Sequence, residues 1–246
     1  MYKKFETQKA RLNYVEAGSG RPVVILPGLG YKGTTYQELI DYLSREFLVI
    51  APNLHFGIGN EAISEIDDYV QILSKFIEEK HLKDIIVVGH SFGGSVAIKL
   101  AQTNKNITGM VLSGSTGLPM PYSFGYLVYL LFLKTWNDRR YGKIPIIIRL
   151  IADFSEFTAG SIFQLYKAKK IVDKITKADL VSKYRAGVKT ILIWGNKDEF
   201  FPVEYSRKLQ KKLSDSKLEI LPGNHDLPLF EEVKFGKIIV DYFGKF

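Results

Sequence analysis

Six short apolar runs recur along the chain, and none of them alternates apolar with polar residues. They lie at residues 23–26, 47–51, 85–88, 110–112, 190–194 and 218–221. Short runs without alternation are typical of strands that are buried on both faces of a parallel sheet. Such a sheet needs helices on both sides, so the chain is restricted to folds in which strands and helices follow one another in turn.

Helical patterns lie between these runs, at residues 67–80, 95–102, 204–213 and 230–243. In the first of them Val70, Leu73, Phe76 and Ile77 recur at the spacing of one helix face. Residues 5–7 and 11–16 predict two further short strands. The alternation predicts an α/β fold with a mostly parallel, doubly wound sheet.

One interval, residues 118–183, breaks the alternation because it needs no strand. It is rich in aromatic and aliphatic residues, and it is too long to be a plain loop. We therefore predict an inserted helical cap over the carboxyl ends of the strands, where open α/β sheets bind ligands. The predicted core domain comprises residues 1–117 and 184–246, and the predicted cap comprises residues 118–183.

The composition narrows the classes of function. The 246 residues include no cysteine, which excludes disulfides, a thiolate nucleophile and cysteine-ligated metals, and we predict no metal and no cofactor. The formal charge of +8 comes from scattered basic residues, so we predict no nucleic-acid partner.

Residues 1–10 are polar, and the longest apolar stretch, residues 126–133, is too short to span a bilayer. These features predict a cytoplasmic protein.

The strand predicted at residues 85–88 runs into the sequence Gly-His-Ser-Phe-Gly, with Ser91 at its centre, and a helix follows. A serine between two glycines at a strand-to-helix turn has its hydroxyl exposed at the rim of the sheet. The amino terminus of the following helix also directs N–H groups toward a nearby oxyanion. Ser91 is therefore the predicted nucleophile.

Two further residues follow predicted strand ends. Asp198 lies after the strand at residues 190–194, and His225 lies after the strand at residues 218–221. The order Ser, Asp, His along the chain predicts a triad in which His225 is the base and Asp198 orients it. Glu199 and Asp226 are alternative acids, but Asp226 adjoins His225 and is poorly placed to reach the Nδ1 atom of that imidazole.

These motifs together resemble the α/β-hydrolase superfamily, in particular its small cofactor-free esterase and lipase-like branch with a helical cap. The resemblance covers nearly the full length, through residues 13–20, 27–30 and 51–54, the serine turn and the two downstream segments. It implies the α/β-hydrolase fold, and it implies an oxyanion hole formed by the backbone N–H groups of Leu29 and Phe92. The chain departs from the family pattern at Pro27, where histidine is common, and at Asn53, where aspartate is common.

The resulting hypothesis is a serine hydrolase that cleaves a small-molecule carboxylic ester with a lipophilic acyl or alcohol part. Candidate residues of the substrate pocket are Phe124, Tyr126, Tyr129 and Phe154. Two alternatives stay open: a catalytically weak ligand-binding protein, and a hydrolase, acyltransferase or perhydrolase that acts on an amide, lactone or carbon–carbon bond. The basic, apolar cap is also a candidate for transient contact with an anionic membrane surface.

Overall fold

The computed structural model describes residues 2–6, 11–54, 65–159 and 162–244, without the side chains at positions 124, 132, 157–159 and 162–165. Eight strands form one sheet in this part of the chain: β1 (Tyr2–Glu6), β2 (Arg11–Ala17), β3 (Pro22–Leu26), β4 (Leu48–Pro52), β5 (Ile85–His90), β6 (Ile107–Ser113), β7 (Lys189–Gly195) and β8 (Lys217–Leu221). Their order across the sheet is β1-β2-β4-β3-β5-β6-β7-β8.

Most of the sheet is parallel. Strand β2 runs antiparallel to β1 and to β4, and every other neighbouring pair is parallel. Each of the eight predicted strands overlaps an observed strand. The predicted mostly parallel α/β sheet is thereby confirmed.

Helices cover both faces of the sheet. They are α1 (Gln37–Leu43), α2 (Ile66–Glu79), α3 (Phe92–Thr103), α4 (Phe124–Asp138), α5 (Ile144–Ala159), α6 (Ile162–Ile175), α7 (Val203–Lys212), α8 (Leu227–Phe230) and α9 (Glu232–Phe243). Helix α1 packs against α9, and α2 packs against α3. Two short 3₁₀ helices, Gly33–Tyr36 and Arg139–Tyr141, precede α1 and follow α4.

Successive residues of each buried strand enter two different apolar cores. In β3, Val23 and Ile25 lie in the core with α1 and α9, whereas Val24 and Leu26 lie in the core with α2 and α3. Burial of one such aliphatic side chain contributes about 1.5–3 kcal/mol. Because both faces of the central strands are buried, their sequences are continuously apolar.

The structure differs from the sequence prediction in two helices. Helices α1 and α8 were not predicted, and the helix predicted at residues 230–243 is α9, which begins at Glu232 and is separated from α8 by one residue. The break lies at Glu231, whose φ of −122° and ψ of 38° interrupt the helical backbone.

Helices α4, α5 and α6 lie between β6 and β7 and are called here the insertion helices. Backbone hydrogen bonds join the segments before and after them: Met120 N donates to Thr176 O at 2.7 Å, and Leu180 N donates to Gly117 O at 2.8 Å. The domain boundaries at residues 117 and 184 stay predictions.

Within the described ranges, no helix has both the length and the apolar composition to cross a membrane. The cytoplasmic location stays a prediction.

Candidate active site

Ser91 lies between β5 and α3 with a φ of 53° and a ψ of −118°. Few side-chain-bearing residues adopt such a backbone, and here the surroundings hold it in place. Ser91 N donates to Ser113 O on the neighbouring strand at 2.9 Å. A Cβ atom at Gly93 would collide with the carbonyl oxygen of Leu26, so the glycine lets the start of α3 pack directly on β3.

A tight turn after β3 passes beside Ser91. Tyr31 N donates to Gly28 O at 3.0 Å, and Gly30 has a φ of 81°, as a type II turn requires at its third residue. A Cβ atom built at Gly28 would lie 3.5 Å from the Cβ of Ser91. The turn thus brings the backbone of Leu29 to the serine.

The N–H groups of Leu29 and Phe92 belong to residues that line the same cavity as Ser91. Phe92 is the first residue of α3, so its N–H has no partner within the helix. Among the described residues, no hydrogen bond from the Leu29 N–H is present. The role of both N–H groups as oxyanion donors stays a prediction.

His225 and Asp198 are hydrogen-bonded to each other. The Nδ1 atom of His225 lies 3.1 Å from Oδ1 and 3.2 Å from Oδ2 of Asp198, and both side chains are buried. Asp198 Oδ1 also accepts from the backbone N–H groups of Phe200 and Phe201, each at 2.9 Å. The loop after β7 thus fixes the carboxylate independently of its contact with the imidazole.

Gly114, at the end of β6, makes room for this pair. It has a φ of 49°, and a Cβ atom there would lie 2.7 Å from Nδ1 of His225 and 3.0 Å from Oδ2 of Asp198. Any side chain at this position would push the imidazole and the carboxylate apart. The sequence analysis did not find Gly114.

The environment of His225 favours its protonated form. Burial by itself lowers the pKa of His225, but the charge of Asp198 and the hydrogen bond to it raise that pKa above its ordinary value of 6.5. The imidazole is therefore a stronger base than a histidine in water.

Ser91 and His225 line one cavity, but the Ser91 hydroxyl has no hydrogen-bond partner among the described residues. Such contacts often form only when a substrate is bound. Nδ1 of His225 faces Asp198, so Nε2 is the atom left to meet the serine.

The chain matches the alpha/beta hydrolase family over residues 23–234. It belongs to this family. It is 26% identical over 251 aligned positions to an uncharacterised protein of Mycobacterium tuberculosis, covering 88% of this chain and 73% of that one. It is 22% identical to 2-hydroxy-6-oxo-6-phenylhexa-2,4-dienoate hydrolase of Comamonas testosteroni, covering 94% of this chain and 90% of the relative. Its structure is similar to that of an esterase from Exiguobacterium antarcticum, with a TM-score of 0.76, 20% identity and coverage of 94% and 95% of the two chains.

The cavity of this alpha/beta hydrolase has a volume of about 150 Å³ and a mostly apolar wall. Core loops contribute Ser91 and His225, and the insertion helices contribute residues such as Leu131, Phe154 and Val172. A second cavity of about 240 Å³ lies between α4 and α5 and shares part of this wall. An apolar molecule that reaches Ser91 is therefore enclosed between the sheet and the insertion helices.

The four residues predicted for the substrate pocket have different positions. Phe154 lines both cavities. Tyr126 and Tyr129 do not line either cavity; they lie on the outer face of α4, 45% and 55% exposed. Phe124 is among the side chains outside the described set. The face of α4 that lines the first cavity instead carries Leu127, Leu131 and Lys134.

Lys134 is a fully buried cation that the sequence analysis missed. Its ammonium forms ion pairs with Asp226 and, at 2.9 Å, with Asp138, and all three side chains are at most 2% exposed. Asp226 also accepts from the hydroxyl of Tyr31, at 3.3 Å from Oδ2. A lysine directly after an apolar stretch, with an aspartate four residues later, is the sequence signal that could have revealed this pair.

His90 supports the backbone of His225. Its Nε2 lies 3.0 Å from the carbonyl oxygen of His225, and because a carbonyl only accepts, Nε2 carries the proton. Burial, together with the neighbouring His225, lowers the pKa of His90 to about 4, so the ring is neutral. Nδ1 then accepts from the Tyr36 hydroxyl at 2.6 Å, which itself accepts from Gly28 N at 3.1 Å. This chain of hydrogen bonds joins the turn after β3 to the loop of His225.

One cluster of metal-ligand type is present among the described residues. His90, His225 and Asp226 each place one ligand-type atom within 4.8 Å of the others. Those atoms already have partners: Asp226 is paired with Lys134, and Nδ1 of His225 with Asp198. The cluster is best understood as part of the hydrogen-bonded surroundings of His225.

Proposed function

We propose that this alpha/beta hydrolase cleaves carboxylic esters through a covalent intermediate on Ser91. The observation that carries the proposal is that Ser91 and His225 open on one cavity while Asp198 holds the opposite side of the imidazole at 3.1 Å. A hydroxyl, a base and an orienting carboxylate in this order are the parts that acyl transfer requires.

In the proposed mechanism Ser91 Oγ attacks the substrate carbonyl carbon, and Nε2 of His225 takes the hydroxyl proton. Asp198 keeps the Nδ1 proton in place and stabilises the imidazolium. The N–H groups of Leu29 and Phe92 hold the oxyanion, and a donor in that role contributes about 3–4 kcal/mol. His225 then protonates the departing alcohol. In the second half His225 takes a proton from water as it attacks the acyl carbon, and then returns that proton to Ser91 Oγ as the carboxylic acid is released.

A serine nucleophile favours an acyl substrate. An acyl group on Ser91 forms an ester, which an activated water molecule can cleave. An alkyl group on the same oxygen would form an ether, which this set of residues has no means of cleaving. The apolar wall of the cavity further favours an acyl or alcohol part that is lipophilic.

Carbon–carbon hydrolysis is the second candidate reaction. The Comamonas testosteroni relative, which is similar over 94% of this chain, is named as a hydrolase of 2-hydroxy-6-oxo-6-phenylhexa-2,4-dienoate, a compound whose name contains no ester. The two reactions are separated by assaying 2-hydroxy-6-oxo-6-phenylhexa-2,4-dienoate beside a series of p-nitrophenyl esters. A higher kcat/KM for the dienoate would replace the ester as the proposed substrate class.

The test of the ester proposal uses p-nitrophenyl esters of increasing chain length and a fluorophosphonate probe. We expect turnover that rises with chain length, labelling of Ser91, and a loss of about 10⁴- to 10⁶-fold in rate for Ser91→Ala. Ser182→Ala, a change at an exposed serine, is the matched control and should keep full activity. Turnover that survives Ser91→Ala would remove Ser91 as the nucleophile, and tight binding of an ester without turnover would favour a ligand-binding protein.

We further propose that the insertion helices rest on an anionic lipid surface. Of the eleven large apolar side chains that are exposed in the described part of the chain, nine belong to these helices. Four of the five on α4 share one helix face: Tyr126, Tyr129, Leu133 and Trp136. Aromatic side chains of this kind are enriched where proteins meet the headgroup region of a bilayer.

The charge near this face favours anionic lipid over a second copy of the chain. Arg139 and Arg140 are exposed at the end of α4, and the guanidinium of Arg139 lies 4.4 Å from the ring centre of Trp136. The four exposed residues of this α4 face include no carboxylate, so the same face of a second copy would offer the arginines no opposite charge. An anionic bilayer would attract them.

Sedimentation with lipid vesicles tests this surface. We expect the protein to sediment with vesicles that contain phosphatidylglycerol, less so at high salt, and not with pure phosphatidylcholine. The double change Leu133→Ser/Trp136→Ser should abolish sedimentation, whereas Val233→Ser, at an exposed valine of α9, should not. Equal sedimentation of both variants, or a dimer that the double change dissociates, would overturn the lipid assignment.

A further inference from the structure

Helix α4 holds the residues on either side of His225. Lys134 pairs with Asp226, the residue after the histidine, and Asp138 accepts a hydrogen bond from Nδ2 of Asn224, the residue before it, at 2.6 Å. Asn224 Oδ1 in turn accepts from the backbone N–H of Asp226 at 3.1 Å. The turn that carries His225 is thus closed on itself and fixed at both ends to one helix.

The same helix also contacts the loop of the orienting acid. Asn137 Nδ2 donates to Oε1 of Glu199 at 3.2 Å, and Glu199 directly follows Asp198. The other oxygen of Glu199 accepts from the backbone N–H of His225 at 3.4 Å. The last turns of α4 therefore bind both catalytic loops, which come from the ends of two different strands.

The contacts of Lys134 cannot easily be exchanged for water. The side chain of Lys134 is 2% exposed, that of Asp138 is 1% exposed and that of Asp226 is fully buried. Separating these groups would leave a charge without a partner in an apolar environment. Movement of the last turns of α4 relative to the loop of His225 is therefore strongly disfavoured.

We propose that Lys134 is a positioning residue, which with Asp138 fixes the His225 turn to α4 and so keeps the imidazole aligned with Asp198 and Ser91. The proposal rests on the proposed role of His225 as the base. Leu127 and Leu131 of the same helix line the cavity. Under this proposal, the alignment of His225 therefore depends on the position of the helix that forms part of the cavity wall.

The charged and titratable groups that face His225 come from several elements. They are Asp198 and Glu199 after β7, Asp226 before α8, His90 at the end of β5, and Lys134 on α4. Among them the Lys134 charge lowers the pKa of His225, and the Asp226 charge raises it. Changes at Lys134 and Asp226 therefore move the titration of His225 in opposite directions.

The first variant is Lys134→Met. We expect kcat for a p-nitrophenyl ester to fall about 100-fold with little change in KM, as misplacement of a catalytic group does. The acid limb of kcat/KM should also move to higher pH, because a cation near the imidazole is gone and Asp226 is left unpaired. A purely structural role would lower the amount of folded protein and leave the kcat of that folded protein unchanged.

The second variant, Lys134→Met/Asp226→Asn, separates position from charge. It removes both charges, so the fold and the pH profile should return toward those of the wild type, while kcat stays low because the tie to α4 is still missing. Lys134→Arg keeps a cation beside Asp226 and should retain more than a tenth of kcat. Recovery of kcat in the double variant, or a rise in KM with kcat unchanged, would overturn the positioning role.

A matched control is Arg149→Met, which removes another ion pair between the insertion and the core, that of Arg149 with Glu38, away from the catalytic loops. Its kcat and pH profile should equal those of the wild type. NMR of ¹⁵N-labelled histidine supplies a readout that needs no substrate, and the chain has only four histidines to assign. We expect the downfield Nδ1 proton of His225 in the wild type and its loss in the double variant.

The two proposals fail in different ways. If the wild-type protein were not labelled at Ser91 by a fluorophosphonate, the proposed function would be wrong whatever the variants show. If labelling occurred but the Nδ1 proton of His225 were unchanged in Lys134→Met/Asp226→Asn, only the positioning role of Lys134 would be wrong.

Discussion

The backbone of Ser91 is strained. A φ of 53° with a ψ of −118° is unfavourable for a residue with a Cβ atom and costs about 1–3 kcal/mol. The hydrogen bond from its N–H to Ser113 O and the close fit of Gly93 hold the turn in this form. The residue whose hydroxyl faces the cavity thus lowers the free energy of unfolding.

Replacement by glycine should release that strain. Ser91→Gly and Ser91→Ala both remove the proposed nucleophile, but only alanine keeps the Cβ atom. Glycine raises the entropy of the unfolded chain, which costs about 0.5–1 kcal/mol, so we expect a net advantage of about 1 kcal/mol over alanine. Differential scanning calorimetry should show a Tm about 2–4 °C higher for Ser91→Gly than for Ser91→Ala. An equal or lower Tm would mean that the turn is not strained.

The sequence allowed some site residues to be predicted and not others, for physical reasons. Ser91 belongs to a local motif, and Asp198 and His225 follow strand ends in a fixed chain order, so their meeting is implied by the topology. Gly114 is required only because two side chains from distant loops meet beside it. The role of Lys134 likewise depends on long-range contacts, which neither spacing nor propensity encodes.

Among the elements, the strands were predictable because parallel strands buried on both faces are apolar at every position. Helix α1 escaped prediction because it has only seven residues and follows a 3₁₀ turn. The inward face of α4 was misjudged because apolar residues surround most of that helix, so periodicity does not select one side. Tyr126 and Tyr129 were expected in the pocket for this reason and lie outside it.

The loop between β3 and α1 depends on the Tyr36 hydroxyl for its connection to the active site. Tyr36→Phe would leave the Gly28 N–H without an acceptor and Nδ1 of His90 without a donor. An unsatisfied buried polar group costs about 1–3 kcal/mol. We expect a lower free energy of unfolding in urea and a lower kcat, because both the turn after β3 and the His225 carbonyl depend on this chain of hydrogen bonds.

A control for this change is Tyr205→Phe, which removes another largely buried hydroxyl, the one bonded to Leu118 at 2.8 and 2.9 Å. It should lower stability by a similar amount without changing the kcat of the folded enzyme. Equal kcat values for the two variants would show that the Tyr36 chain has no part in the reaction.

For the whole molecule, two buried groups make stability depend on pH in opposite directions. Burial lowers the pKa of His90 from 6.5 to about 4, so the stabilisation from its neutral form is lost as pH falls through this range. Burial raises the pKa of Asp138 from 3.8 to about 6, so the native state binds more protons than the unfolded state there, and stability falls as pH rises. The two effects largely offset each other between pH 4 and 6.

Removing one of these groups should reveal the other. In Asp138→Asn, His90 acts unopposed, so we expect Tm to fall more steeply than in the wild type on acidification from pH 6.5 to 4. Thermal unfolding followed by circular dichroism at several pH values measures the slope. A slope unchanged from the wild type would show that Asp138 has no raised pKa in the native state.

A helix that is anchored by buried ions at one end can swing only about that end. Helix α4 is anchored at Lys134, and its first residue lies about 15 Å away along the axis, given a rise of about 1.5 Å per residue. Outward tilting of α4 would therefore open a gap beside Tyr126 while the pivot stays closed. A long lipophilic chain would then enter at the aromatic end, while the contacts of Lys134 keep the proposed base, His225, in place.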